Sequence, residues 1–352
     1  MREISPKILI DGEEVDYLDG KYELGGSLTS AVLTFKLPLA YGAGKKLWNK
    51  EVLLYLNEFD STPLFRGWIK RTNPDFNEIT IRAEDALVYM LKGGEDTLAI
   101  VRLTDTDNVD GLSAGAAIAA LIKRAKLDSK LKTDIIGNTT PVVGSTHAPL
   151  RGNVKIMDAI KGFLGRAVDT SGTLPRPNIG RIIDDGSNSQ FIIELEDDIT
   201  SDTAVIKHVY TEEDNIINLN IINRKIPTVI TVKGHGGVSS TFTHDSAIDA
   251  LDRNYFEVTN NNLMSPAACK EFGARVFETN LLLQYEYAIT TLEGAYLSEN
   301  DIIMIETDDS EFSGKYRVIG KTVSFSPSSY SIGLSINKRP PVLADYIATL
   351  DN

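Results

Sequence analysis

Four histidines, His147, His208, His235 and His244, are the side chains of this 352-residue chain best suited to acid–base or metal chemistry, and their spacing supports neither. None stands in an HExxH or HxH motif, or beside the single cysteine at the separation a metal site needs. His235 in GHGG and the pair His244-Asp245 are the nearest approach to a constellation, but the glycines and serines between them leave their geometry open. A polar loop is the simpler reading. GHGG also lacks the Lys-Ser/Thr of a phosphate loop, so a turn accounts for it, and Ser239 and Ser240 lack a GxSxG elbow. Glu196, Asp197 and Asp198 could supply the two carboxylates of glycoside hydrolysis, yet at a strand end acids are ordinarily solvated. Neither Trp48 nor Trp68 belongs to an aromatic cluster that would hold a sugar, and Trp68 in LFRGWI is expected to pack inside the first β unit. The expectation is no catalytic residue, no cofactor, no metal site and no enzyme.

Charge carries more information. The chain holds 49 acids against 36 Lys and Arg, a net charge of −13, which argues against a surface built to grip nucleic acid. The excess concentrates between residues 276 and 314, where nine acids occur without a Lys or Arg. Glu293, Glu299, Asp301, Glu306, Asp308, Asp309 and Glu311 belong to this run. Such a run is ordinarily a solvated face. Cys269, in AACKEFGARVF, has no internal disulfide partner and is expected as a small buried thiol on a helix. No stretch reaches the roughly 18 apolar residues of a bilayer span, and Met1-Arg2-Glu3 opens no long apolar region, so synthesis in a cytoplasm without membrane insertion is expected.

The elements that must position these residues repeat. Residues 52–85 and 302–337 each run apolar strand, acidic turn (Glu58, Asp60; Asp308, Asp309), aromatic plus Gly (Phe65, Gly67; Phe312, Gly314), second strand, Pro turn, and a strand of strict alternation. In LTFKLP, Leu33, Phe35 and Leu37 share one face; in YSIGLSIN, Tyr330, Ile332, Leu334 and Ile336 do. The predicted fold is mainly β with α+β inserts: two similar small antiparallel β-barrel domains plus two inserted α/β units. Residues 1–92 form the first barrel, 93–205 an inserted α/β domain, 206–238 with 285–340 the second barrel, 239–284 a smaller insert with one helix, and 341–352 a tail. In the first insert, Asp110 or Ser113 can cap a helix carrying Ala117, Leu121, Ile122 and Ala125. Asn153 can cap a second, with Ile156, Met157, Ile160, Phe163, Leu164 and Ala167. Ser265-Pro266 opens the helix of the smaller insert. After Pro340-Pro341, the apolar residues Val342, Leu343, Tyr346, Ile347 and Leu350 could not bury themselves alone and are expected to meet a neighbouring subunit or an adjoining protein.

Across nearly its whole length, through LTFKLP, LFRGWI, NIINLNIINR, ITVKG, LEGAYLSENDIIMIE, SGKYRVIGKTVSFS and YSIGLSIN, the chain resembles the baseplate hub proteins of contractile-tailed bacteriophages. These form the late control protein D family, similar to the hub half of the type VI secretion spike. The resemblance implies a homotrimer whose paired barrels make a pseudo-hexameric ring. That ring would join the sixfold tail tube to the threefold central spike, contact other baseplate proteins, and let DNA pass without binding it specifically, with Glu293, Glu299, Asp301, Glu306, Asp308, Asp309 and Glu311 as the acids expected to face the passage and keep phosphate from adhering. It implies residence in the virion tail baseplate. Two other readings stay open: a distal-tail or receptor- and carbohydrate-binding tail module, and a peptidoglycan hydrolase.

Overall fold

The computed structural model describes residues 5–337, apart from 26–27, 43–45, 58–59, 94–97, 104–108, 110–111, 129, 133–151, 167–177, 185, 196–198, 200–202, 212–214, 217, 224–225, 246–247, 249–252, 260–262, 264, 283–284, 309–311 and 328. The first module holds β1 (Lys7–Ile10), β2 (Glu13–Glu14), β3 (Gly20–Leu24), β4 (Val32–Pro38), the short helix α1 (Leu39–Gly42), β5 (Glu51–Tyr55), β6 (Phe65–Pro74), β7 (Glu78–Glu84) and α2 (Leu87–Lys92). The inserted unit follows with β8 (Ile100–Leu103), α3 (Ala114–Arg124), β9 (Gly152–Lys155), α4 (Ile156–Arg166), β10 (Asn178–Asp184) and β11 (Ser189–Leu195). Next come β12 (Ile206–Thr211), β13 (Asn218–Asn223), β14 (Val229–Lys233), β15 (Ser239–Thr243), β16 (Tyr255–Thr259) and α5 (Pro266–Leu282). The chain closes with β17 (Tyr285–Thr291), β18 (Ile302–Glu306), β19 (Gly314–Ser326) and β20 (Ser329–Asn337).

The fold is mainly β with helical inserts, and its two halves repeat strand for strand. The order β3-β4-β7-β6-β5-β1 in the first module matches β13-β17-β20-β19-β18-β12 in the second. Registers match too: Leu54 opposes Phe65 as Ile305 opposes Gly314, and Glu51 opposes Trp68 as Ile302 opposes Arg317. One residue further along, each long strand carries a bulge, between Ile69 and Arg71 in β6 and between Val318 and Gly320 in β19. Phe65 therefore corresponds to Gly314, two positions away from the Phe312 that sequence pairing suggests. One strand departs from the pattern, since β1 runs antiparallel to β5 whereas β12 runs parallel to β18.

The two modules are joined rather than separate. Beyond the stretch bound to β18, β19 continues along β3, fusing both halves into one 13-stranded sheet. Alternation drives this: β4 buries every second residue, and Leu33, Phe35 and Leu37 are fully covered. They share a single core with Ile289, Leu334 and Ile336 of the second module. At about 1.5–3 kcal/mol for each large apolar side chain removed from water, this shared core is the chief force holding the modules together.

The inserted unit builds a second core, which it shares with Trp68 and with residues 87–90 of the first module. Ser113 accepts a hydrogen bond from the Ala116 amide at 3.2 Å and caps α3, whose Ala117, Leu121 and Ile122 are buried, as is Ala125 just past its end. Ile156, Met157, Ile160, Phe163 and Leu164 of α4 are buried against Phe191 and Ile193 of the β10–β11 hairpin. Asn153 does not cap α4. It lies in β9 opposite Arg102, and the helix begins directly at Ile156, whose amide bonds the Ala99 carbonyl at 2.9 Å. Trp68 also differs from expectation: its ring packs edge-on against Tyr89, centroids 5.4 Å apart, in the core under the insert. Asp110 and Ala167 lie outside the described residues.

A third, smaller sheet joins β14 to β15 antiparallel and to β16 in parallel, with α5 across it. Sequence periodicity places 229–233 in the second barrel; a strand buried on one face reads alike in either sheet, and only the pairing separates them. Ser265 accepts a hydrogen bond from the Ala268 amide at 3.2 Å, and Cys269 is buried with Ile230, Val232 and Phe277. Among the described residues no helix is long and apolar enough to cross a membrane.

Candidate assembly surface

His235 and His244 do not converge, and His147 lies outside the described residues. His235 lies in the turn after β14, where Gly236 and Gly237 adopt left-handed φ values of 64° and 84°. His244 follows β15 at the opposite end of the same hairpin, beyond Thr243, which opposes Val229. There it stacks on Phe277 with ring centroids 4.4 Å apart. Among the described residues no three His, Cys, Asp or Glu side chains group to hold a metal ion. Residues 196–198 lie outside them.

The feature with built geometry is the seam between modules. Phe325 opposes Gly20, and its ring occupies the space a side chain there would need: a Cβ on Gly20 would come 2.4 Å from the Phe325 Cζ. Tyr17 packs edge-on against the same ring at 5.5 Å. Lys321, only 4% exposed, donates to the Leu297 carbonyl at 2.5 Å and to the Ala295 carbonyl, and lies 5.6 Å from the Tyr22 ring. Burial pulls its ammonium down to about 7, with Asp301 opposing. Asp85 is also buried, accepting from the Ser30 hydroxyl at 2.7 Å and from the amides of Ala31 and Leu87 at 2.9 and 3.0 Å. Burial raises its carboxyl to about 6 against those bonds.

The β10–β11 hairpin clasps both modules across this seam. Arg66 of β6 bonds Asp184 at 2.5 Å and Glu51 at 2.9 Å, while Arg181 reaches the Glu299 carbonyl at 3.3 Å. Between them lies a cavity of about 550 Å³ lined by Tyr22, Asp85, Arg181, Tyr296 and Lys321. Asp85 and Lys321 are buried and Arg181 is half-buried, and no motif in the sequence marks any of the three.

The acidic run is divided by the fold. Glu299 is buried at 5% exposure, and Asp301 accepts from the Ser298 amide at 2.7 Å within a turn. Glu293 is exposed and bonds Asn215 at 3.1 Å, with His208 at 3.4 Å. Glu306 at the end of β18 and Asp308 just beyond it are exposed. Asp309, Glu311 and the tail residues Val342, Leu343, Tyr346, Ile347 and Leu350 lie outside the described residues.

No protein-family profile and no characterised protein sequence matches the chain. Solved structures do. The 43 kDa tail protein of prophage MuSo2 from Shewanella oneidensis superposes with a TM-score of 0.65 at 11% identity, over 97% of this chain and 98% of its own. The tail protein from Neisseria meningitidis MC58 gives 0.64 at 10% identity, over 99% and 98%. An Escherichia coli component of the type VI secretion system, described as structurally similar to the T4 tail proteins gp27 and gp5, gives 0.54 at 12%, over 95% and 77%. Over almost its whole length, this chain has the fold of these tail proteins.

Proposed function

We propose that the protein is a structural component of a phage tail baseplate, a trimeric hub without catalytic activity. Three copies place six modules around one axis, so that a threefold body presents a sixfold face to the tail tube and keeps its own symmetry toward the central spike. The observation that carries this reading is the matched strand order and register of the two modules. Such a match gives one chain two near-equivalent surfaces. A channel runs along the axis for DNA, with Glu306, Asp308 and Glu293 turned toward it to keep phosphate from adhering. Tail residues 341–352 pack on a neighbouring copy or on the spike. The protein is made in the host cytoplasm and resides in the virion, beside other baseplate proteins.

The native mass of the purified chain, alone and with its tube and spike partners, tests this. A trimer that binds both is expected. A hexamer would mark a distal-tail ring instead, and a monomer that binds neither would remove the hub reading.

A further inference from the structure

The seam inside the chain predicts the seam between chains. In the second module, β19 is covered along its C-terminal half by β3, pairing Lys321 with Leu24 through to Phe325 with Gly20. Lys321, Val323 and Phe325 are buried as a result. Counting from the shared bulge, residues 72–76 hold the equivalent place in the first module. There, every residue from 71 to 77 is exposed, and Phe76, which matches Phe325 in position, is 92% exposed. The same module thus has one edge covered in one copy and bare in the other.

The covering strand has its counterpart as well. Just as β3 bonds β4, β13 bonds β17, with Gly20 opposite Phe35 where Leu219 stands opposite Ile289. But β3 also bonds β19, whereas β13 ends the sheet, its outer edge without a strand among the described residues. Among the described residues, one chain therefore carries a bare acceptor edge and a bare covering strand, related to each other as the two sides of its internal seam. A second copy satisfies both, and the contact is head-to-tail, the kind that closes into a ring.

Resting on the trimeric reading, we infer that β13 of the neighbouring copy adds antiparallel to the C-terminal half of β6, pairing Asn73 with Ile222 and Thr72 with Asn223 of that copy. The six modules then close into one continuous sheet around the axis. The Asp75 amide bonds the Glu78 carbonyl, so Asp75 and Asn73 face β7 while Thr72 and Pro74 face the open edge. Pro74 stands where Val323 stands and has no N–H, so this seam forms with one bond fewer than the internal one. That same proline discourages stray strands from adding to the free chain.

Paired cysteines test it. Asn73 and its partner form a non-hydrogen-bonded pair, with Cα atoms about 4.5 Å apart, within disulfide reach. The native Cys269 is buried and does not compete. In the full chain carrying Asn73→Cys with Ile222→Cys, oxidation is expected to give covalent trimers. The in-chain equivalent, Glu23→Cys with Thr322→Cys, should close within one chain, since those residues oppose each other. A native trimer that stays unlinked while the control closes would overturn the seam and leave the ring reading intact. A monomer by native mass with no linkage would remove both.

Discussion

Replacing Phe325 with Ala is expected to lower the unfolding free energy by about 3–5 kcal/mol, the range for removing a buried aromatic ring from a core that cannot collapse. The ring is 4% exposed and lies between Tyr17 and the bare backbone of Gly20. Gly20 has no side chain to move into its place, and the β3–β19 register fixes the backbone around it. A urea titration would show the midpoint falling. The same change at Phe76 should alter monomer stability by no more than about 0.5 kcal/mol, since that ring is 92% exposed. Equal losses at the two sites would mean that the internal seam contributes no more than a surface loop.

Asp85→Ala is expected to cost about 2–4 kcal/mol at pH 7, because it strips the acceptor from the Ser30 hydroxyl and the Ala31 and Leu87 amides. Those three donors belong to the start of β4 and the entry to α2, so the loss loosens the first module where it meets the insert. The cost should grow as pH falls. Burial raises the Asp85 pKa to about 6, so the folded state holds this proton more tightly than the unfolded chain. The associated stability is fully present below about pH 4 and is lost as pH rises toward 6, a change of about 3 kcal/mol. Unfolding curves at pH 4 and pH 7 measure it. A cost that is the same at both would show that the carboxyl titrates normally.

Much of the fold is legible in the residues. The alternation of LTFKLP and YSIGLSIN and the apolar stripe of α4 report burial on one face, which is a property of single elements. The doubled pattern of 52–85 and 302–337 is legible for the same reason. What joins the elements is not. β3 offers one buried aromatic, Tyr22, among lysine and glutamate, and its second partner is reached through backbone hydrogen bonds that leave no mark in residue type. β14 reads equally well in either sheet, and Asn153 is an adequate cap that a strand pairing claims first. Lys321 and Asp85 look like solvated charges until the fold buries them. The acidic run shows the converse: a uniform stretch in sequence is split by the turn at 298–301, which buries Glu299 and leaves Glu306 and Asp308 in solvent.

A doubled β module that lets three chains imitate six is the claim on which the assembly rests. Electron-microscopy averages of the purified oligomer viewed down its axis test it most directly. Six near-equal densities around a central hole, alternating in pairs under threefold symmetry, are predicted. Three densities separated by gaps, or a ring whose modules stand at unlike radii, would contradict it.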